Sequence, residues 1–210
     1  MRGLTWLRAV LLLVWACAAA QLALAAELSP EALTSIGQRL DPAPVLRGEF
    51  EQSKTLKGFK KPLLSRGSFV MARARGVQWL TTQPFASTLV VTADRLMTLD
   101  ATGSGQKMDA RQEPGLRAFN ETLMAVLLGD VKVLATRFKV EGHQEAQGWR
   151  LTLVPRDAGL LALMTRIEIE GDQHVRAIQW HEASGDSNSV RFFGHKSSPL
   201  TAAELGRFAP

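Results

Sequence analysis

The chain has no tyrosine and only one cysteine, Cys17, among its 210 residues. Cys17 lies in an apolar stretch at the amino terminus, and cleavage after Ala25 leaves a mature chain without a thiol. Such a chain forms no disulfide and offers no thiolate as nucleophile or metal ligand. We therefore expect its stability to come from an apolar core.

Blocks of like charge are also missing. The chain has 25 lysines and arginines and 20 acidic residues, a formal net charge of +5. The two signs are interspersed, as in residues 111–117 and 150–170. This distribution favours a mixed, solvated surface over a nucleic-acid groove. No nucleic-acid partner is predicted.

Motifs of enzyme active sites were not found. Ser104 lacks the glycine two positions earlier that a nucleophile elbow requires, and no phosphate-binding glycine loop occurs. His174, His181 and His195 fall on the last predicted hairpins, but their spacing matches no compact metal motif. They are predicted to be exposed on strands. The sequence thus predicts no catalytic residue, no metal and no cofactor, and an envelope hydrolase is disfavoured because no nucleophile and base cluster.

The first 25 residues have the pattern of a secretory signal peptide. Arg2 and Arg8 flank its start, residues 9–20 are almost wholly apolar, and Ala23-Leu24-Ala25 forms a small-x-small cleavage site. The apolar part is short for a membrane span. We expect residues 26–210 to form a single exported domain in the periplasm.

An acylated Cys17 is the alternative for this terminus. Val14-Trp15-Ala16 precedes the cysteine instead of a leucine/small/small box, and the following residues stay apolar. Cleavage after Ala25 is therefore preferred. Retention of the segment as an anchor is a further alternative.

Helical patterns are few and short. Ser29-Pro30-Glu31 begins a helix that extends to about Leu40. Asn120 is predicted as the N-cap of a second helix that stops at Gly129, and Asp130 as the cap of a third to about Ala135. Residues 100–115 are polar and glycine-rich and are predicted to form a loop.

Most of the remaining chain alternates with a period of two. The pattern predicts strands at 45–54, 67–73, 77–82, 87–92, 95–100, 138–141, 149–154, 166–170, 175–180 and 189–193. Strands at this spacing, joined by hairpin turns, indicate one strongly curved antiparallel sheet. Its apolar face is either an ordinary core under the helices or the wall of a ligand cavity.

An arginine stands out in the hairpin at 67–85. Alternation along the strand at 67–73 places Phe69, Met71 and Arg73 on one face, so a cation shares a face with apolar side chains. An unpaired buried cation costs several kcal/mol, so Arg73 needs partners or solvent.

These segments resemble the LolA-type outer-membrane lipoprotein carriers. Phe50-Glu51-Gln52 is similar to the F-x-Q near the start of that family. Residues 67–84 resemble its second and third strands, with the opening glycine, Arg73, Trp79 and the Gln83-Pro84 turn. Residues 89–100 and 166–193 resemble its remaining strands.

The resemblance implies a mainly β fold with α-helices: an incomplete, half-open antiparallel β-barrel covered by short lid helices. It implies a monomeric carrier of lipoprotein acyl chains, which receives cargo from an inner-membrane releasing transporter and delivers it to an outer-membrane acceptor. Arg73 is expected to latch the lid at backbone carbonyls of residues 115–129. The expected cavity residues are Phe50, Phe69, Met71, Trp79, Leu89, Val91, Met97, Leu123, Leu127, Trp149, Leu151, Ile167, Ile169 and Trp180.

Departures from the family pattern leave the cargo open. Ala74-Arg75-Gly76 stands where the family usually has a proline after the arginine, and residues 96–99 have lost the family's aromatic character. The carboxy-terminal extension is also incomplete. A related envelope lipid, such as a glycolipid or a polyene lipid, is therefore an alternative cargo, and a Cys17-acylated outer-membrane acceptor of the same fold is an alternative role.

Overall fold

A long antiparallel sheet runs through the computed structural model, which describes residues 27–112 and 114–209. Its strands follow the order β6-β5-β4-β3-β2-β1-β11-β10-β9-β8-β7, and every neighbouring pair is antiparallel. The strands are β1 (Val45–Thr55), β2 (Leu63–Ala72), β3 (Gly76–Gln83), β4 (Ser87–Val91), β5 (Arg95–Asp100), β6 (Gly105–Asp109), β7 (Phe138–Gln144), β8 (Trp149–Pro155), β9 (Met164–Gly171), β10 (Val175–Glu182) and β11 (Ser187–Ser197).

Five helices occur among the described residues. They are α1 (Pro30–Arg39), α2 (Pro114–Leu128), α3 (Val131–Arg137), α4 (Ala158–Leu161) and α5 (Ala202–Phe208). The start of α1 is confirmed, since the Ser29 hydroxyl accepts a hydrogen bond from the amide of Ala32. None of the described helices is both long and apolar enough to cross a membrane.

The sheet curls strongly without closing. Leu89 on β4 and Ile167 on β9 line one cavity, although six strand spacings of about 4.8 Å separate their strands along the sheet. Strands β6 and β7 remain its two edges. The predicted fold class is therefore confirmed: a mainly β protein with helices, whose antiparallel sheet forms an incomplete barrel.

Two predictions about residues 100–128 are wrong. Residues 105–109, predicted as loop, form β6 and pair with β5. Asn120 does not cap a helix, because α2 already begins at Pro114; its buried side chain donates to the Thr92 carbonyl at 3.0 Å. Proline at the first helical turn was the signal for the earlier start. The predicted stop at Gly129 is confirmed, with a left-handed φ of 64°.

Helix α5 was not predicted, although Thr201 and Glu204 have the spacing of a capping box in the sequence. The Thr201 hydroxyl accepts from the Glu204 amide, and the Glu204 carboxylate accepts from the Thr201 amide. Gln78 on β3 donates to the Glu204 carbonyl at 2.6 Å, and Arg47 on β1 pairs with the Glu204 carboxylate at 2.6 Å. These bonds hold α5 on the outer face of the sheet.

The outer face carries a small second core. Phe208 of α5 packs with Ala72 and Val90, and Met97 lies against this group. Met97 pairs with Val90, not with Val91, so the pleat turns its side chain away from the inner face. The prediction that Met97 lies in the cavity wall is therefore wrong, because the strand register places its side chain on the outer face.

Candidate functional site: an apolar cavity with an arginine clamp

A cavity of about 300 Å³ lies between the inner face of the sheet and α2. Four residues of α2, Thr122, Leu123, Val126 and Leu127, cover it from one side of the helix. The rest of the wall consists of Gln52, Val77, Trp79, Leu89, Val91, Leu160, Met164, Ile167, Ile178, Trp180, Val190 and Phe192. Only Gln52 and Thr122 bring polar side chains to this wall, so the cavity suits an apolar ligand.

Half of the predicted cavity residues lie on this wall. They are Trp79, Leu89, Val91, Leu123, Leu127, Ile167 and Trp180. Phe50 and Phe69 lie behind it: the Phe50 ring centroid is 4.0 Å from that of Trp79, and Phe69 meets Phe192 edge-on at 5.3 Å. Trp149, Leu151 and Ile169 are buried in the same core as Ile36 and Leu134, away from the cavity wall. Met71 borders a gap of about 20 Å³ beside Arg73.

The missed wall residues come mainly from segments that the sequence does not place near α2. Val190 and Phe192 on β11 lie on either side of Arg191, a period-two pattern that indicates their inward direction. Leu160 on α4 and Met164 at the start of β9 also line the cavity, and only the curl of the sheet brings them there.

The inner face becomes polar at one end of the cavity. Gln52 donates to Asn188 at 3.4 Å, and Asn188 donates to the Glu182 carboxylate at 2.9 Å. Lys54 pairs with the same carboxylate at 3.4 Å. Lys54 and Glu182 are partly exposed, so the inner face meets solvent here. We call this end the polar mouth.

Arg73 lies at the opposite end of the cavity. It follows β2 in an exposed turn, and its guanidinium donates to the Asp41 carbonyl at 2.7 Å and to the Ala43 carbonyl at 3.1 Å. These carbonyls belong to the connection between α1 and β1, not to residues 115–129. The expectation of backbone carbonyls is met, but in another segment: the guanidinium reaches the α1–β1 connection, although Leu128 and Gly129 at the end of α2 also border Arg73.

A second arginine fixes the end of α1. Arg39 donates at 3.0 Å to each of three carbonyls in the β7–β8 turn, those of Glu145, Ala146 and Gly148. Together Arg39 and Arg73 form what we call the arginine clamp, which ties the end of α1 and its connection to both halves of the sheet.

Replacement of Arg73 by leucine is expected to loosen the α1–β1 connection. The change removes two hydrogen bonds from a charged donor, and solvent exposure reduces their value to about 1–2 kcal/mol in total. Amide hydrogen exchange at Asp41, Ala43 and Val45, the residues of 41–45 that carry an amide hydrogen, should accelerate about tenfold. Arg75→Leu, in the same exposed turn, is the control. Equal protection of 41–45 in Arg73→Leu and the unchanged protein would contradict a clamping role.

Two histidines meet beside the clamp, contrary to the prediction of exposed strand histidines. The ring centroids of His174 and His195 are 4.5 Å apart, and His174 lies 3.8 Å from the Asp41 carboxylate. Arg176 contacts Nδ1 of His195 at 3.0 Å. A guanidinium has no acceptor, so this Nδ1 must accept and be unprotonated.

Burial, with the positive neighbours His174 and Arg176, lowers the pKa of His195 from 6.5 to about 4. Burial and Arg176 also lower the pKa of His174, against the opposing effect of Asp172 and Asp41. The unfolded chain therefore binds more protons than the folded one below pH 6.5, and folding stability should fall as the pH drops from 6.5 towards 4.

This pH dependence is measurable by thermal unfolding between pH 7.5 and about pH 5.5, an interval in which acidic side chains with ordinary pKa values stay largely ionised. His195→Leu should flatten the decrease in Tm over this interval, whereas His143→Leu, at an exposed site on β7, should leave it unchanged. Parallel curves for His195→Leu and the unchanged protein would contradict the assignment to the buried pair.

The described residues give little support for a metal-dependent reaction. Over residues 27–112 and 114–209, no group of three or more histidine, cysteine or acidic side chains is placed to hold a metal ion. An open sheet curled around an apolar cavity, with a helix across it, defines the class of proteins that hold a lipid-like ligand.

The chain belongs to the LolA family. Residues 43–208 match the model of the family described as outer membrane lipoprotein carrier protein LolA. This is a periplasmic family of lipoprotein and lipid carriers and not a family of enzymes. No curated protein matches the chain.

Solved structures with a similar course of the chain have low identity. A LolA superfamily protein, NE2245, from Nitrosomonas europaea is 10% identical, with 85% of this chain and 97% of that chain covered and a TM-score of 0.45. A putative outer membrane lipoprotein-sorting protein domain from Vibrio parahaemolyticus is 9% identical, with 84% and 95% covered and a TM-score of 0.45. The Pseudomonas aeruginosa MucA/MucB complex has a chain that is 14% identical, with 86% and 60% covered and a TM-score of 0.46.

Proposed function

We propose that the protein is a periplasmic carrier that shields an acyl chain of a lipoprotein or a related envelope lipid and shuttles it from the inner to the outer membrane. The observation that carries this proposal is the apolar cavity between the curled sheet and α2. Family membership supports the same role.

The size of the cavity sets how much ligand it encloses. A methylene group takes about the room of a water molecule, ~30 Å³, so about 300 Å³ encloses about ten carbons of one chain. Burial of ten methylenes contributes about 8 kcal/mol at ~0.8 kcal/mol each. Longer or additional chains require α2 to move away from the sheet.

Helix α2 is held by contacts that are suited to reversible movement. Asn120 donates to the Thr92 carbonyl, and Glu121 pairs with Arg137 of α3 at 2.7 Å in a partly exposed position. Leu123, Val126 and Leu127 contact the core through apolar side chains, which a ligand can replace. Such a lid allows a carrier to take up cargo and release it to an acceptor. The proposed partners are an inner-membrane releasing transporter and an outer-membrane acceptor, with the carrier as a monomer.

Export through a cleaved signal peptide is part of the proposal, and residues 1–26 lie outside the described residues. The intact mass of the protein purified from the periplasm tests it. A chain that begins near Ala26 is expected, whereas a mass increased by acyl groups on Cys17 would favour the anchored acceptor instead.

Lipid mass spectrometry on the natively purified protein tests the carrier function. We expect a copurifying lipid with at least one acyl or other long apolar chain, in a ratio near one per protein. Displacement of a fluorescent fatty acid by the extracted lipid should be saturable. A protein that yields no extractable lipid and also shows no saturable binding of the fatty acid would overturn the proposal.

A further inference from the structure

Large apolar side chains are exposed at the end of the sheet that holds the polar mouth. Phe85 is 82% exposed and Phe59 is 68% exposed, whereas side chains of this kind are usually covered. The residues of this group, which we call the apolar rim, are Phe59, Leu63, Leu64, Phe85, Leu161 and Leu163.

The strand register places the apolar rim around one opening. Lys54 pairs with Leu63 across β1 and β2, and Arg66 pairs with Gln83 across β2 and β3, so the β1–β2 connection and Phe85 lie at the same end. Thr55 on β1 pairs with Ser187 on β11 at this end as well. Across β10, Glu182 pairs with Met164, directly after Leu163.

The connection between β1 and β2 combines this apolar character with positive charge. Residues 56–62 contain Lys57, Lys60 and Lys61, all exposed, and no acidic residue. Phe59 stands among them in a turn in which its amide donates to the Leu56 carbonyl at 3.0 Å. Gly58 permits this turn with a φ of 87°. The segment thus offers an exposed aromatic side chain that has lysines on both sides of it in the sequence.

At the opposite end, Arg73 and His174 border only a narrow gap of about 20 Å³. The polar mouth is therefore the end at which the inner face meets solvent, and the apolar rim surrounds it.

We propose that the apolar rim and the three lysines dock this end of the protein on an anionic lipid bilayer. Lysines near such a surface are attracted to it, and aromatic and aliphatic side chains insert at the boundary between headgroups and acyl chains. The rim side chains stand on separate connections around an opening. A fluid bilayer can accept side chains that insert at separate points, whereas a folded protein partner requires a continuous complementary surface. Docking on a bilayer is a property additional to the proposed carrier function. It rests on that function only for its biological purpose.

Sedimentation with lipid vesicles tests the proposal on the full chain as expressed and processed. Vesicles of phosphatidylcholine with phosphatidylglycerol should bind the protein at least tenfold more tightly than vesicles of phosphatidylcholine alone, and 0.5 M salt should remove the difference. Lys60→Glu with Lys61→Glu should weaken binding at least 25-fold, since each lysine near an anionic surface contributes about fivefold. Lys132→Glu with Lys196→Glu, at exposed sites elsewhere, is the charge-matched control.

A second pair of double variants tests the contribution of the apolar rim side chains to vesicle binding. Phe59→Ser with Phe85→Ser should weaken vesicle binding at least tenfold, whereas Met108→Ser with Val133→Ser, at partly exposed sites away from the rim, should leave it unchanged. Unchanged thermal unfolding establishes that each variant is folded. Absence of binding to anionic vesicles at low salt, or equal binding by the rim variants and their controls, would overturn the proposal. Capture of a protein partner without vesicle binding would also overturn it.

Binding of a fluorescent fatty acid separates this proposal from the carrier function. The rim variants should bind the fatty acid normally, because their changed residues lie outside the cavity wall. A protein that binds vesicles but no fatty acid would refute the carrier function and leave docking intact.

Discussion

Replacement of Leu89 and Leu123 by tryptophan is expected to weaken binding of a fluorescent fatty acid about 100-fold. The two residues face the cavity from opposite sides, Leu89 on β4 and Leu123 on α2. Two indole rings in about 300 Å³ exclude about four methylenes of a bound chain, which at ~0.8 kcal/mol each amounts to about 3 kcal/mol. Fluorescence titration measures the change in Kd directly.

The same double variant should remain folded, because its larger side chains enter empty space instead of a filled core. Overpacking of a well-packed core costs about 1–3 kcal/mol, and the cost here should lie at or below the lower end. Val133→Trp, at a partly exposed site on α3, is the matched control and should bind the fatty acid normally. Undiminished binding by a folded Leu89→Trp, Leu123→Trp protein would show that the ligand does not occupy this cavity.

Replacement of Phe50 by alanine is expected to lower the free energy of unfolding by about 3–5 kcal/mol. Phe50 is 0% exposed and stacks on Trp79 with 4.0 Å between ring centroids. It lies on β1, between β2 and β11, directly opposite Gly67. A Cβ on Gly67 would lie 2.9 Å from the Phe50 ring and 1.9 Å from the Leu80 carbonyl oxygen. The strands are thus packed around this ring and cannot collapse into the space left by alanine.

Urea unfolding measures this loss, and Tm should fall by about 10 °C for a chain of this size. Phe59→Ala removes the same ring from a site that is 68% exposed and should change the free energy of unfolding by less than about 0.5 kcal/mol. A loss below about 1 kcal/mol for Phe50→Ala would mean that the ring is not part of a rigid core. Reduced fatty-acid binding by this variant would follow from displacement of Trp79.

Strand prediction succeeded where period-two alternation was regular and failed where it was short. The predicted strands at 45–100 and 138–193 correspond to β1–β5 and β7–β11. Residues 105–109 carry too many exposed side chains to alternate, and β6 exists because β5 offers it a free edge. Helix α5 was legible from Thr201 and Glu204, but its place on the outer face depends on Gln78 and Arg47 from distant strands.

The residues of the candidate site, like the strands, were predicted only in part. Trp79, Leu89 and Ile167 were predicted to face the cavity because the pleat fixes which face each residue takes. Met97 was assigned to the wrong face, because a one-residue shift in register reverses the face and the register depends on the partner strand. Trp149 and Ile169 face inward as predicted, but they are buried in the core that contains Ile36 of α1 and do not line the cavity.

The sequence by itself determined the strands, the inward face of most of them, the start of α1 and the family to which the chain belongs. These features follow from local alternation, caps and turn residues, which act over a few neighbouring positions. Only the tertiary structure decided that the sheet curls without closing, that Arg73 binds carbonyls at the end of α1, and that His174 meets His195. It also decided that Phe59, Phe85 and Leu163 ring one opening. Such contacts join residues far apart in the chain, and they are fixed by strand order, curvature and packing, which no short segment contains.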